Sequence, residues 1–414
     1  MASGLLNEPV RLLAVTGCPP CSAGGGGLML RKLLGGYPAD KLTIFTNGRA
    51  IDDLAEYYGA DCLLDVPYIR VRPWRSNIPG VRRLLRSLNS LRILPAAARL
   101  ARLASTGTAI LAVPWGGEFG SELFVAAYLA HRWSGAPLVV YEMDEWGAAV
   151  RQAGGAIARM LEKHLHSRII REAQTVWVIS REIAKEFQSR FNVEPRILEH
   201  GVDLQGFLSR RRKELAQGGP TRADERRLLY TGSIYGAQIG AVRNVLKAIQ
   251  SQPKRQWSLV IYTSQQPSTL TSQGIEGPGL RIEPAVPVEA MPDILATADA
   301  LLLPFSFEEK ERSVVSTSLP SKIADYLASG VPVLVHAPPY ATVTSLASEE
   351  GWALVVSEES TEQLNEALGR LASDKALRDE MAKRALSLAH SRHDLVKCRE
   401  AFVASIQQAV AASA

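Results

Sequence analysis

Leu319-Pro320-Ser321-Lys322-Ile323-Ala324-Asp325-Tyr326-Leu327-Ala328-Ser329-Gly330-Val331-Pro332-Val333-Leu334 holds a short helix with its start and stop signals, followed by a buried strand. The run before it, Asp299-Ala300-Leu301-Leu302-Leu303-Pro304-Phe305, reads as another buried strand. Pro320 suits a first helical turn, where its missing N–H would be unpaired anyway. Gly330 suits the left-handed residue just past the end. A helix opening at Pro320-Ser321 directs free N–H groups and the positive end of its dipole at whatever lies before it, which favours an anion such as phosphate. Lys322 adds a full charge, and Asp325 lies one turn beyond Ser321 on the same side. One helix of this kind can hold a diphosphate at its tip and the ribose hydroxyls of the same nucleotide a turn later. An ordinary surface helix carrying a Lys and an Asp is the competing reading.

The segment resembles the donor-nucleotide motif of retaining glycosyltransferases of the GT-B fold, the large family 4 group (glycosyl transferases group 1). The shared pattern is Pro-Ser-Lys, a helix with an acidic residue before Tyr or Ala, then small-Gly-x-Pro-Val. The resemblance implies two Rossmann-like domains facing each other across a cleft. It makes Asp325 the ribose carboxylate and Ser321 and Lys322 the phosphate contacts. Glu199-His200-Gly201-Val202-Asp203, with Phe207 after it, resembles the family's Asn-Gly-Val-Asp stretch that closes the first domain, His200 standing for Asn.

The rest of the chain is compatible with that outline. Its 414 residues suit two domains, and 46% hydrophobic with 21% charged residues suits an ordered globular protein. Strands and helices alternate, which argues for α/β with parallel sheets. The expected division is 1–208, a linker at 209–227 that is charged and lacks apolar periodicity, 228–393, and a last helix at 394–414 crossing back to the first domain as the resemblance implies. Met1–Glu8 has no signal-peptide pattern, and no run of about 20 apolar residues spans a membrane. Four cysteines in a chain of this size point to a reducing compartment. The expected location is therefore cytoplasmic, with peripheral association at the inner membrane face. Cys18-Pro19-Pro20-Cys21 reads as a rigid loop holding two thiols, with a thioredoxin-like role the weaker alternative.

The net charge of +5 is uneven. No acidic residue lies between Asp65 and Glu118, a stretch that holds Arg70, Arg72, Arg75, Arg82, Arg83, Arg86, Arg92, Arg99 and Arg102 with leucines interleaved. This reads as a membrane-surface element or a patch for an anionic ligand, or as a solvated basic helix. Nucleic acid is ranked low, because no nucleic-acid motif accompanies the charge.

The first strand, Val10–Gly17, precedes a glycine loop, Gly24-Gly25-Gly26-Gly27. The dinucleotide fingerprint is absent, since Met29 stands three after Gly26, and this counts against a nicotinamide or flavin enzyme. By resemblance the Gly25-Gly26 loop faces the cleft. The second domain opens with Leu228–Gly232, then Ser233, and many relatives carry a basic residue just after that glycine. Here none follows until Arg243 and Lys247, which are expected to substitute in part. The family's paired acids would fall at Thr317 and Asp325, so the first is missing, with Glu308, Glu309 and Glu311 nearby. At the end of a fifth strand, Asp144 and Glu145 are candidate bases for an acceptor hydroxyl, Asp144 the better by resemblance, with a helix cap or surface acid as the alternative. His131, His164 and His166 read as surface or boundary histidines.

The donor-side candidates are therefore Gly232, Ser233, Arg243, Pro320, Ser321, Lys322 and Asp325. Gly25, Gly26, Asp144 and Glu145 face the acceptor, and Asp144 and Lys322 carry the catalytic roles. No Asp-x-Asp metal pair is evident and the resemblance implies a metal-independent site, so no cofactor or metal is expected beyond a nucleotide-diphosphate sugar as co-substrate. The expected activity is retaining sugar transfer to an unidentified acceptor, in the manner of a hexosyltransferase. A lipid-linked or cell-envelope glycan precursor fits the basic stretch as acceptor. A sugar-nucleotide epimerase and a non-catalytic nucleotide-sugar-binding subunit remain open on the same fold.

Overall fold

The computed structural model describes residues 9–22, 25–114, 119–143, 146, 150, 156–216, 225–253 and 256–413. The chain forms two compact units, Met1–His200 with Val396–Ala414, and Gly201–Leu395.

In the first unit, β1 (Arg11–Thr16), β2 (Leu42–Asn47), β3 (Tyr68–Val71), β4 (Thr108–Val113), β5 (Leu138–Glu142), β6 (Thr175–Val178) and β7 (Arg196–Ile197) form one sheet in the order β3-β2-β1-β4-β5-β6-β7. Every pairing is parallel. All of β4 and β5 is buried, as expected for central strands covered by helices on both faces. The edge strand β3 was not expected from sequence. It is only partly buried and has no continuous apolar run.

The second unit holds β8 (Arg226–Thr231), β9 (Trp257–Thr263), β10 (Leu280–Pro284), β11 (Ala300–Pro304), β12 (Val333–His336) and β13 (Ala353–Val356), in the order β10-β9-β8-β11-β12-β13 and again all parallel. Tyr230, Trp257, Leu259, Leu302 and Leu334 lie in its core. Both sheets reverse direction beside their first strand, at β1/β4 and β8/β11. The carboxyl ends of such strand pairs are where open α/β sheets bind ligands.

The expected linker is only partly irregular. Leu204–Ala216 is a helix with Leu204 and Phe207 buried, packed on the helices Met291–Ala296 and Lys322–Ser329. Arg210 pairs with Asp293 at 2.7 Å. Residues 209–216 thus belong to a helix, Arg226 and Arg227 already belong to β8, and residues 217–224 lie outside the described set. The boundary between units falls earlier, after His200.

The last helix, Leu395–Ala411, joins the first unit from Val396 onward. Arg399 donates to the Lys32 carbonyl through Nε at 2.9 Å and Nη2 at 2.6 Å, and Trp177 donates its indole N–H to Ser405 at 3.0 Å. Phe402 and Ile406 are fully buried there.

Candidate active site

The helix Lys322–Ser329 follows the long connection after β11. Ser321 is its N-cap, with Pro320 one residue outside the helix rather than in its first turn, and the Pro320 carbonyl accepts from the Ile323 N–H at 3.0 Å. No side chain caps this N-terminus. Its orphan N–H groups and dipole are therefore left for an anion. Gly330 ends the helix at φ 63°, the left-handed conformation its position demands.

Lys322 is half-buried, and its Nζ lies 3.7 Å from the ring centroid of Tyr230, the penultimate residue of β8. It forms no ion pair with any carboxylate of the described residues. Burial draws its ammonium down to about 7, while the negative face of the tyrosine ring favours the charged form. A Cβ on Gly232 would lie 3.2 Å from the same Nζ, and Gly232 has φ 107°. The cation that the sequence lacks after Gly232 is thus supplied from the facing helix. Tyr230, a residue sequence reasoning missed, holds it there.

The loop after β8 is fixed by side chains beneath it. The Tyr230 hydroxyl donates to the Ser233 carbonyl at 2.8 Å, and the Tyr326 hydroxyl accepts from the Thr231 N–H at 3.1 Å. Gln265 accepts from Ile234 N–H at 2.6 Å and donates to its carbonyl at 3.0 Å. Burial raises both phenols, so Tyr230 and Tyr326 stay protonated donors. Asp325 is half-buried one residue before Tyr326 and one turn below Ser321. The structure therefore brings Gly232, Ser233, Ser321, Lys322 and Asp325 to one end of the second sheet.

Arg243 is tied to a neighbouring loop through one of its N–H groups. It lies two turns into the helix Gly236–Gln250, and its Nε donates to the Gln273 carbonyl at 2.6 Å. Lys247, a turn further on, is exposed. Thr317 occupies the place of the missing acid and bonds back to the Ser313 carbonyl at 3.3 Å. Of the nearby acids, Glu308 pairs with Lys310 and Glu309 with Arg312. Glu311 forms no ion pair among the described residues. Its carboxylate lies against Gly236, where a Cβ would collide with Oε1.

His336, at the end of β12, is buried with Nδ1 3.0 Å from the Val356 carbonyl, and burial lowers it to about 4. It is a neutral structural group at physiological pH.

In the first unit, Asp144 and Glu145 lie outside the described residues. Gly25 and Gly26 begin the helix Gly25–Leu34 instead of forming a loop before it. Cys18 and Cys21 both point at Gly27, and burial, with the neighbouring Cys21, pushes the Cys18 thiol up to about 12, which makes it a poor nucleophile. His166 is 1% exposed rather than a boundary residue. Its Nε2 lies 3.2 Å from Glu142, which is fully buried at the end of β5, and Nδ1 lies 3.7 Å from Glu162, which Arg190 also holds at 3.0 Å. Burial opposes the imidazolium, but the Glu142 charge and hydrogen bond outweigh it and raise His166 to about 9. The Glu142 carboxylate also accepts the Trp146 N–H at 2.5 Å.

Residues 225–374 match the family described as Glycosyl transferases group 1. The second unit carries a glycosyltransferase domain. No curated protein matches the chain by sequence. Among solved structures, HepE of Anabaena in complex with UDP and glucose is similar at 14% identity and TM-score 0.62, over 97% of this chain and 100% of that one. An α,α-trehalose-phosphate synthase (UDP-forming) from Burkholderia vietnamiensis is similar at 12% identity and TM-score 0.63, over 97% and 99%. A glycosyltransferase from Rickettsia africae gives 11% and 0.63, over 98% and 99%. These likenesses show the GT-B fold of paired Rossmann-like domains, and the family match gives the enzyme class, glycosyl transfer.

Proposed function

We propose that this glycosyltransferase is a retaining, metal-independent enzyme of family 4 type. It moves a hexose from a nucleotide-diphosphate sugar to an acceptor. The observation that carries the reading is Lys322, held against Tyr230 and Gly232 without a carboxylate partner, at the tip of an uncapped helix. Breaking the bond from the anomeric carbon to the diphosphate builds negative charge on the leaving group. A preformed ammonium and oriented N–H groups stabilise that charge without reorganising. Asp325, a turn lower, suits the ribose hydroxyls. Ser233 and the Gly232 backbone border the same space. Gly25, Gly26, Asp144 and Glu145 belong to the acceptor side, with Asp144 as base.

The acceptor in this reading is a lipid-borne precursor of a cell-envelope glycan. The protein meets it at the cytoplasmic face of a membrane through the Arg-rich stretch 70–102. The first unit serves the acceptor and the second the donor. Uridine nucleotides are the first donors to test, because HepE, on the same fold, was solved with UDP and glucose.

The test is thermal shift and turnover with nucleoside diphosphates and their sugar conjugates. Asp325→Ala should weaken nucleotide-sugar binding about ten-fold or more, and Lys322→Ala should cost more in turnover than in binding. Normal binding and turnover in both variants would sink the assignment. Donor conversion without any acceptor would select an epimerase instead.

A further inference from the structure

Twelve large hydrophobic side chains are exposed among the described residues, and seven of them fall between Trp74 and Leu103. Such clustering is far from the scattered exposure normal on a protein surface. Ile78, Leu84, Leu91 and Leu94 are each at least 60% exposed. Leu94 is not left over from a poorly packed region. The helix Ile93–Leu103 already buries Ile93, Ala96, Ala97 and Leu100, and packs along Gly120–Ser134. Leu94 is on the other side of that helix and is surplus to its folding. The helix Pro79–Leu88 has one substantial neighbour among the described elements, the turn Asn89–Arg92 that follows it. Its outer residues Val81 and Leu84 pack on nothing large.

The charge around these side chains has one sign. Arg70 and Arg72 share Asp52, and Arg75 lies 3.8 Å from Asp53, so the three arginines before the patch face two carboxylates of the helix Gly48–Tyr58. From Ser76 to Ala104 the sequence carries Arg82, Arg83, Arg86, Arg92, Arg99 and Arg102 and no acid. Arg92, Arg99 and Arg102 pair with no carboxylate of the described residues, and Arg92 lies over the Trp74 ring at 4.9 Å.

We infer that this face docks on a bilayer containing anionic phospholipid. The leucines enter the region where headgroups meet acyl chains, and the arginines pair with lipid phosphates. Interleaved apolar tips and unpaired guanidinium groups match the two layers of a membrane surface, since arginine can bury its stem and keep its head at the phosphate level. A nucleic-acid backbone would satisfy the arginines and leave the leucines in water. No helix among the described residues is long and apolar enough to cross a membrane, so the contact inferred is along the surface. The proposal deepens the acceptor reading, on which its biological sense rests. Its geometry belongs to the first unit alone.

Flotation of the full chain tests it, with vesicles of phosphatidylcholine alone and with vesicles also holding phosphatidylglycerol, at low and high salt. The wild type should float with anionic vesicles only, and less at high salt. Ile78→Ser with Leu84→Ser should lower vesicle affinity about ten-fold with an unchanged melting temperature, since both side chains are exposed. Arg99→Glu with Arg102→Glu should do the same and flatten the salt dependence. Absence of flotation at low salt, equal flotation with neutral vesicles, or indifference to both double variants would overturn the proposal. So would a solution dimer that Ile78→Ser with Leu84→Ser disperses, or preference for a nucleic-acid homopolymer over vesicles. UDP thermal shift in the same preparations keeps the two readings apart. A shift without flotation removes only the membrane face, and flotation without any nucleotide shift removes only the donor site.

Discussion

At the scale of single residues, the charge state of Lys322 governs the donor site. An ammonium brought down to about 7 by burial is only partly charged in the free protein at neutral pH. A diphosphate beside it favours the charged form, so binding should take up a proton. Calorimetric titration of UDP at pH 7.5 in two buffers of different ionisation enthalpy should show that uptake, and Lys322→Ala should abolish it. Affinity should fall as pH rises above about 7. The effect on stability has the opposite sign. The unfolded chain holds the Lys322 proton up to about 10.4, so this group makes the free protein more stable as pH rises from about 7 toward that value. The helix that carries Lys322 and Asp325 was legible in the sequence because its start and stop signals are local: a proline, a serine, a closing glycine. Glu142 with His166 was not, because a strand end and a helix 24 residues apart in sequence form that pair only in three dimensions. Arg243 was assigned to the donor site on charge alone, and the Gln273 carbonyl that engages it is equally invisible in sequence.

At the scale of elements, the two glycines at the start of the helix Gly236–Gln250 have a shared purpose. Gly236 and Gly240 lie one turn apart and leave room for the segment after β11, with Ser306 beside Gly240 and Glu311 beside Gly236. The Ser306 N–H donates to the Ala237 carbonyl at 2.7 Å and ties the segment down. A carboxylate at a helix N-terminus is stabilised there by the dipole. In the proposed donor site it also stands at one end of the loop 232–236, with Lys322 at the other, so Glu311 can take over the sugar hydroxyls that an acid at Thr317 would otherwise hold. Glu311→Gln should weaken a UDP-sugar about ten-fold and leave UDP alone unaffected. Gly236→Ala should mimic it by pushing the carboxylate aside. Equal losses for UDP and the UDP-sugar would make Glu311 a structural cap. The buried strands were legible at this scale because each is a short continuous apolar run between turn signals, as in Ala300–Pro304 and Val333–His336. The helix Leu204–Ala216 was missed because its apolar residues Leu204, Phe207 and Leu208 precede a run of charged ones, Arg210-Arg211-Arg212-Lys213-Glu214, that reads as a linker.

At the scale of the whole molecule, the first unit is built from two separate pieces of chain. Its last helix covers Trp177 and ends the helix Gly25–Leu34 through Arg399. Deleting residues 396–414 removes Phe402 and Ile406 from the core, at roughly 1.5–3 kcal/mol each. Scanning calorimetry should show the transition of the first unit lowered by on the order of 10 °C. The transition of the second unit, and its shift with UDP, should survive. Loss of both transitions together would show that the units do not unfold separately.

The same arrangement sets an order of events during synthesis. Residues 201–395 leave the ribosome as one unbroken stretch and have everything they need to close. The stretch before them, although made earlier, must wait with the ring of Trp177 uncovered until residues 396–411 arrive. The earliest-born half is therefore the last to mature, and it is the half that chaperones would be expected to hold during translation.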